Sequence, residues 1–217
     1  MHPEPHHIPV TRTARYYTLG KLNQNTKDIW MFIHGHRDLA GKFIMKFSEF
    51  AEKGSFLIAP EGLMRLYIKG DFGDVGASWM TKEDREADIK DYVCYPDRFF
   101  FDEISLKAKE YNIKINALGF SQGAATLSRW LTMGKAKIDK AVFWTGSVAH
   151  DVDYSANENF KRTEIHQVFA SNDPYYDSTF PPQQIEILTK AGITPKTYTF
   201  NGGHEINAEL IKEAGVI

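Results

Sequence analysis

Lys114-Ile115-Asn116-Ala117-Leu118-Gly119-Phe120-Ser121-Gln122-Gly123-Ala124-Ala125 runs as a short apolar strand straight into a helical segment, with Gly-x-Ser-x-Gly at the corner. A serine at such a corner projects its Oγ above the end of a sheet, in a backbone conformation that few residues tolerate. Gly119 and Gly123 lack a Cβ, so strand and helix can approach closely on both sides of the turn. The helix that begins at Gln122 aims its free N–H groups and the positive end of its dipole at the place where negative charge would form. Alone, Gly-x-Ser-x-Gly is a weak signal, because an ordinary strand–helix turn with an exposed serine can be spelled the same way. The apolar strand before it and Ala124, Ala125, Leu127, Trp130 and Leu131 after it make Ser121 a candidate nucleophile.

The chain around this corner has 217 residues, 42% of them hydrophobic, enough for one well-buried core and read as one domain over 1–217. A formal charge of −2 and a sequence pI near 6.4 give no electrostatic footprint for nucleic acid or an anionic membrane. Cys94 is the only cysteine, so no intramolecular disulfide is possible and nothing signals an oxidising compartment. No apolar run is long enough to span a bilayer, and the first residues lack the basic and apolar regions of a signal peptide. These features predict a cytoplasmic protein without membrane insertion, and leave a homodimer open. His2, His6 and His7 are read as part of a proline-punctuated flexible tail over residues 1–7 rather than a metal tether, and no other cluster has metal-ligand spacing. No metal or other cofactor is expected.

Outward from the corner, strands and helices alternate. A strand is predicted over Ile8–Leu19. Asp28–Ile33 is a continuous apolar run, as in a strand buried on both faces of a parallel sheet. It ends in His34-Gly35-His36-Arg37-Asp38 and is followed by an amphipathic helix over about 39–51, with Phe43, Phe47 and Phe50 inward. A strand over 55–59 precedes a long irregular stretch to Met80, punctuated by glycines at 62, 70, 73 and 76, of the length that is usually functional. A charged helix from about Lys82 is expected to reset near Pro96 and continue to Glu110. After the Ser121 helix come strands over 141–144, 164–170 and 196–200 and helices over 182–191 and 206–213. The alternation predicts an α/β fold with a mostly parallel sheet of about seven strands flanked by helices.

In such sheets reactive groups gather in the loops at the carboxyl ends of the strands. Those loops deliver His34-Gly35-His36, then Ser121-Gln122, then Ser171-Asn172-Asp173-Pro174, and finally Asn201-Gly202-Gly203-His204. Serine, acid and histidine thus follow one another at strand ends. In this reading Ser121 attacks an acyl carbonyl, His204 carries the proton, and Asp173 fixes the imidazole tautomer. The backbone N–H groups of Gln122 and His36 are candidates for an oxyanion hole. Asp151, Asp153 and Asp177 compete for the acid role. Asp173 is preferred because it comes directly off a strand end and is stiffened by Pro174. His34 is read as packing and hydrogen bonding within its turn.

Gly-Phe-Ser-Gln-Gly around Ser121, Asn-Asp-Pro at Asp173, Gly-Gly-His-Glu at His204 and the His34-Gly35 turn together resemble the phospholipase/carboxylesterase family of α/β-hydrolases. That family contains the acyl-protein thioesterases. The resemblance runs from about Ile29 to the C-terminus, and Pro60-Glu61-Gly62 through Ser78-Trp79-Met80 is similar to the compact bacterial members. It implies a small esterase without a cap domain, acting on short-to-medium acyl esters through an acyl-enzyme on Ser121. A thioesterase, a lysophospholipase or a catalytically silent binding protein on the same fold are the alternatives. One departure stands out: Arg37 takes the place of the second glycine in the family's His-Gly-x-Gly-Asp turn.

The substrate is expected to be a small-molecule ester. Leu63, Tyr67, Phe72 and Trp79 are candidates to line an acyl pocket, with a mini-core of the long loop as the equal alternative. Trp79 is the strongest of the four. Tyr175, with Tyr176, sits beside the expected acid and is expected to border the same cleft.

Overall fold

The computed structural model describes residues 2–213. Its main sheet has seven strands: β1 (Tyr16–Leu19), β2 (Asp28–Ile33), β3 (Phe56–Pro60), β6 (Lys114–Phe120), β7 (Lys140–Trp144), β8 (Glu164–Ala170) and β9 (Lys196–Phe200), in the spatial order 1-3-2-6-7-8-9. Only β1 is antiparallel to its neighbour. A separate hairpin joins β4 (Met64–Tyr67) to β5 (Val75–Ser78).

The strand periodicity explains why the sheet is buried on both faces. Along β2, Ile29, Met31 and Ile33 join one core cluster and Trp30 and Phe32 the other, all of them fully or almost fully buried. The first cluster is covered by α3 (Arg85–Phe99), α5 (Gln122–Met133) and α7 (Phe180–Lys190), the second by α1 (Ala40–Met45) and α8 (Ala208–Glu213). Each fully buried Ile, Leu or Phe in these clusters contributes roughly 1.5–3 kcal/mol, which is how a sheet without disulfides is held together.

Several expectations are corrected. The first strand begins at Tyr16 rather than Ile8, because Pro9 has no N–H to give a ladder and Ile8 and Val10 stand in solvent. The helix expected over 39–51 is two short ones, α1 and α2 (Ser48–Glu52), with Phe43 and Phe47 buried as expected and Phe50 half-buried. The stretch from 62 to 80 is not irregular, since it holds the hairpin. No break occurs at Pro96: α3 runs through it into a π-helical turn over 100–104 and then α4 (Ser105–Tyr111). Proline lacks the N–H that would meet the Tyr92 carbonyl, and the ladder changes register one turn later. The short helix α6 (Glu158–Arg162), capped by the Asn157 side chain on Phe160 N–H, was not anticipated.

The hairpin is tied to the body by a buried charge. Glu61, 1% exposed, accepts Arg15 Nε (2.9 Å) and Nη2 (2.6 Å) and Arg65 Nε (2.8 Å) on one oxygen, and its backbone N–H donates to Arg15 O. At the other side of the sheet, Glu164 accepts Lys196 Nζ (2.5 Å) and His166 Nε2 (2.8 Å), which hold its carboxyl at about 2, below the ordinary 4.5. A carboxylate depressed by folding stabilises the native state above its unfolded value, and that stabilisation is lost as the pH falls through the folded one. Glu164→Gln is therefore expected to lower Tm by roughly 1–3 °C at neutral pH. The gap to wild type should close as the pH falls from about 4.5 to about 2, as scanning calorimetry across that range would register; a gap constant with pH would contradict the assignment.

Candidate active site

Ser121 sits between β6 and α5 with φ 55° and ψ −120°, a conformation that costs on the order of 1–3 kcal/mol for a residue with a Cβ. Packing enforces it. A Cβ on Gly119 would lie 2.3 Å from Gly123 O, one on Gly123 2.1 Å from Ile33 O, and one on Gly146 2.3 Å from Ser121 O. The turn is therefore pressed between β2, β6 and the loop after β7, and Ser121 N–H is bonded to Trp144 O at 3.0 Å. Gly146 was not singled out in the sequence. Beside it Thr145, a buried β-branched residue, is itself forced to φ 39°. Gly123→Ala adds up to about 1 kcal/mol of helix propensity but is expected to cost about 1–3 kcal/mol net by overpacking. A urea midpoint at or above that of wild type would show that the close approach is not a constraint.

Asp173 and His204 come from the loops after β8 and β9. These loops are zipped together by Ser171 N–H to Phe200 O (2.9 Å), Asn172 N–H to Gly202 O (3.0 Å) and Asn172 Nδ2 to Asn201 Oδ1 (2.9 Å). His204 Nδ1 lies 2.7 Å from Asp173 Oδ2, while Asp173 Oδ1 accepts Tyr175 N–H at 2.9 Å. The pair is shielded, with side-chain exposures of 15% for His204 and 4% for Asp173. Rings surround the imidazole: Phe120 at 5.0 Å, Tyr175 edge-on at 4.7 Å and Tyr176 at 6.2 Å between centroids. Phe120 immediately precedes Ser121, so the histidine packs against the serine's own turn.

The competing acids are committed elsewhere. Asp151 binds Arg85 (2.6 Å) and the buried Arg129 (2.8 Å). Asp153 accepts the N–H and hydroxyl of Ser155. Asp177 accepts both from Thr179 at the start of α7, bonds that lower its pKa.

The turn after β2 forms the opposite wall. His34 is fully buried, and burial lowers its pKa. Its Nδ1–H donates to Gly35 O (2.7 Å) and its Nε2 accepts Gly62 N–H (3.0 Å), so the ring is a neutral structural strut. A Cβ on Gly35 would lie 3.2 Å from the Ser121 Cβ, so this turn touches the nucleophile candidate directly. The N–H of His36 has no hydrogen-bond partner among the described residues, and that of Gln122 is the first of its helix. Arg37 adopts φ 65°, the left-handed conformation a glycine takes without strain, with its N–H on Ala77 O (2.8 Å).

Among the candidates for substrate contact, Trp79 is 1% exposed, with its indole N–H on His34 O at 2.8 Å. Leu63 is half-buried. Tyr67 and Phe72 lie on the hairpin, 53% and 95% exposed, so Phe72 belongs neither to a mini-core nor to the cluster around Ser121. Tyr175 is 73% exposed over the His204 edge. A cavity of about 680 Å3 lies between residues 10–16 and α3, and Leu63 and Trp79 line it. Ser121, Asp173 and His204 do not, so this cavity is separate from the cluster. Residues missed in the sequence are Ser78 and the side chain of Gln122. Gln122 Oε1 accepts Trp79 N–H (3.1 Å) and Nε2 donates to Met80 O (2.8 Å). No group of metal-ligating side chains occurs among the described residues.

No family model matches the chain, and no curated protein matches it in sequence. Solved structures do match over nearly the whole chain. Acyl-protein thioesterase 2 of Zea mays superposes with a TM-score of 0.70 at 16% identity, over 93% of this chain and 96% of that one. The carboxylesterase of Mesorhizobium loti gives 0.69 at 16%, over 90% of each chain. The carboxylesterase of Bacillus cereus gives 0.67 at 17%, over 93% of this chain and 91% of that one. The architecture that places Ser121, Asp173 and His204 at the carboxyl ends of β6, β8 and β9 is the α/β-hydrolase fold.

Proposed function

We propose that the chain is a serine carboxylesterase that cleaves short-to-medium acyl esters through an acyl-enzyme on Ser121. The observation that carries this reading is the 2.7 Å contact between Asp173 and His204, next to a serine held at φ 55° between three glycines. Ser121 Oγ attacks the ester carbonyl as His204 takes the hydroxyl proton. The oxyanion is met by the N–H groups of His36 and Gln122. As the tetrahedral species collapses, the C–O bond to the leaving group breaks and His204 returns the proton to the departing alcohol. Water, deprotonated by His204, then attacks the acyl-enzyme and frees the acid and Ser121. Asp173 holds the Nδ1–H tautomer and stabilises the imidazolium.

The same steps cleave a thioester, and the maize structure bears a thioesterase name, so that substrate class is the second reading. The lone Cys94 agrees with a reducing, cytoplasmic setting.

A fluorophosphonate probe is expected to label the wild type at Ser121 and to leave Ser121→Ala unlabelled and inactive with Tm unchanged. A wild type that folds but is not labelled would make this a binding protein on a hydrolase fold. Asp173→Asn is expected to lower kcat by a factor on the order of 10³–10⁴ with little change in KM. Asp177→Asn should stay near wild type, and an exchange of the two behaviours would reassign the acid. Matched oxygen esters and thioesters in a chain-length series separate the two substrate classes.

A further inference from the structure

Two N–H groups that must converge on one oxygen come here from segments 86 positions apart in sequence, His36 on the turn after β2 and Gln122 at the start of α5. We infer that the segment leaving β5, Ser78 through Met80, is a splint that locks these two donors into one geometry, with the Ser78 hydroxyl as its positioning group. The inference rests on Ser121 being the nucleophile.

Ser78 is fully buried, and its Oγ meets three polar groups: His36 Nδ1 at 3.1 Å, Met80 O at 2.9 Å and Gln122 Oε1 at 3.2 Å. A hydroxyl has one proton and can accept from other donors. Given to Met80 O, its shorter contact, that proton leaves the oxygen to accept from His36 Nδ1–H. Partial burial, and then the charge of Arg37, lower the His36 pKa, which agrees with a neutral ring.

Gln122 is gripped from the same segment, through Trp79 N–H and Met80 O. Trp79 also reaches back with its indole N–H to His34 O. Arg37 N–H to Ala77 O (2.8 Å) and Ala77 N–H to Asp38 O (2.9 Å) zip the turn to the strand immediately before Ser78. One segment therefore holds the turn carrying the first donor by backbone and ring, and the residue carrying the second by its carboxamide. Ser78 links the two through its hydroxyl, which accepts from His36 Nδ1–H and donates to Met80 O, the carbonyl that also accepts Gln122 Nε2.

Such a splint acts on transition-state charge and not on ground-state binding. Removing a whole oxyanion donor costs on the order of 10²–10³ in kcat, so loosening two donors by Ser78→Ala is expected to cost roughly 10–100-fold. KM should stay within about twofold, and the Ki of a trifluoromethyl ketone analogue should rise by the same factor as kcat falls. His36→Ala keeps the backbone N–H, removes the ring from an exposed position, and tests the same contact without touching the core. The two single variants should show the same kcat loss, and the double variant should be no slower than the slower single. Wild-type kcat in both, a loss of Tm with kcat and Ki unchanged, a rise in KM alone, or fully multiplicative losses would each overturn the splint. Wild-type protein that carries no fluorophosphonate on Ser121 would instead refute the nucleophile, and the splint with it.

Discussion

The constraint on which the structure depends is the close approach of backbone to backbone at Ser121. β6 must end, and α5 begin, within contact distance of Ile33 O, and the loop after β7 must close on Ser121 O. Only then does the serine hold a conformation that free peptides avoid. The strain at Ser121 and at Thr145 is local, while the burial that opposes it is spread across both core clusters. Large, rigid side chains such as Trp30, Phe32, Phe47 and Trp144 are among the buried groups that supply that opposition. A looser core would let the corner relax and withdraw the hydroxyl.

Much of this was legible in the sequence for a physical reason. A strand buried on both faces must be apolar without alternation, and Asp28–Ile33 is. A sharp strand-to-helix corner must have glycines flanking it, and Gly119 and Gly123 do. Asp173 and His204 stood out because parallel sheets place loops of one kind at one end. What the sequence hid follows from long-range partners. β1 is shorter than its β-branched content suggests, because a strand extends only as far as its neighbour β3 offers hydrogen bonds. The hairpin was hidden because alternation is brief there and glycines read as breaks. Gly76 is needed not for a turn but because Arg37 O lies against it. Ser78 carries no motif of its own, and its importance arises only when residues 36, 80 and 122 are brought together.

Charge is used sparingly inside the molecule, and each buried ion joins separate parts of the chain. Glu61 gathers Arg15 and Arg65, and its neighbour Gly62 supports His34. Arg129, 4% exposed, joins α5 to Asp151 and to the Tyr92 hydroxyl on α3. Breaking one partner of such a pair leaves the other buried and uncompensated, which is worse than never having had it. Both pairs lie along the supports of the Ser121 corner and the His34 turn.

The β4–β5 hairpin divides its labour along its length. Its root is buried and engaged with the His34–Asp38 turn, while its tip, around Phe72, stands free in solvent. Change at the tip is thus decoupled from the root, since the antiparallel ladder keeps the root in register whatever joins its two strands. Segments of different length or polarity could be grafted between Lys69 and Asp74 without disturbing the buried root. A lineage built on this scaffold can therefore vary one turn in length and chemistry while the buried root, and the turn it holds, stay as they are.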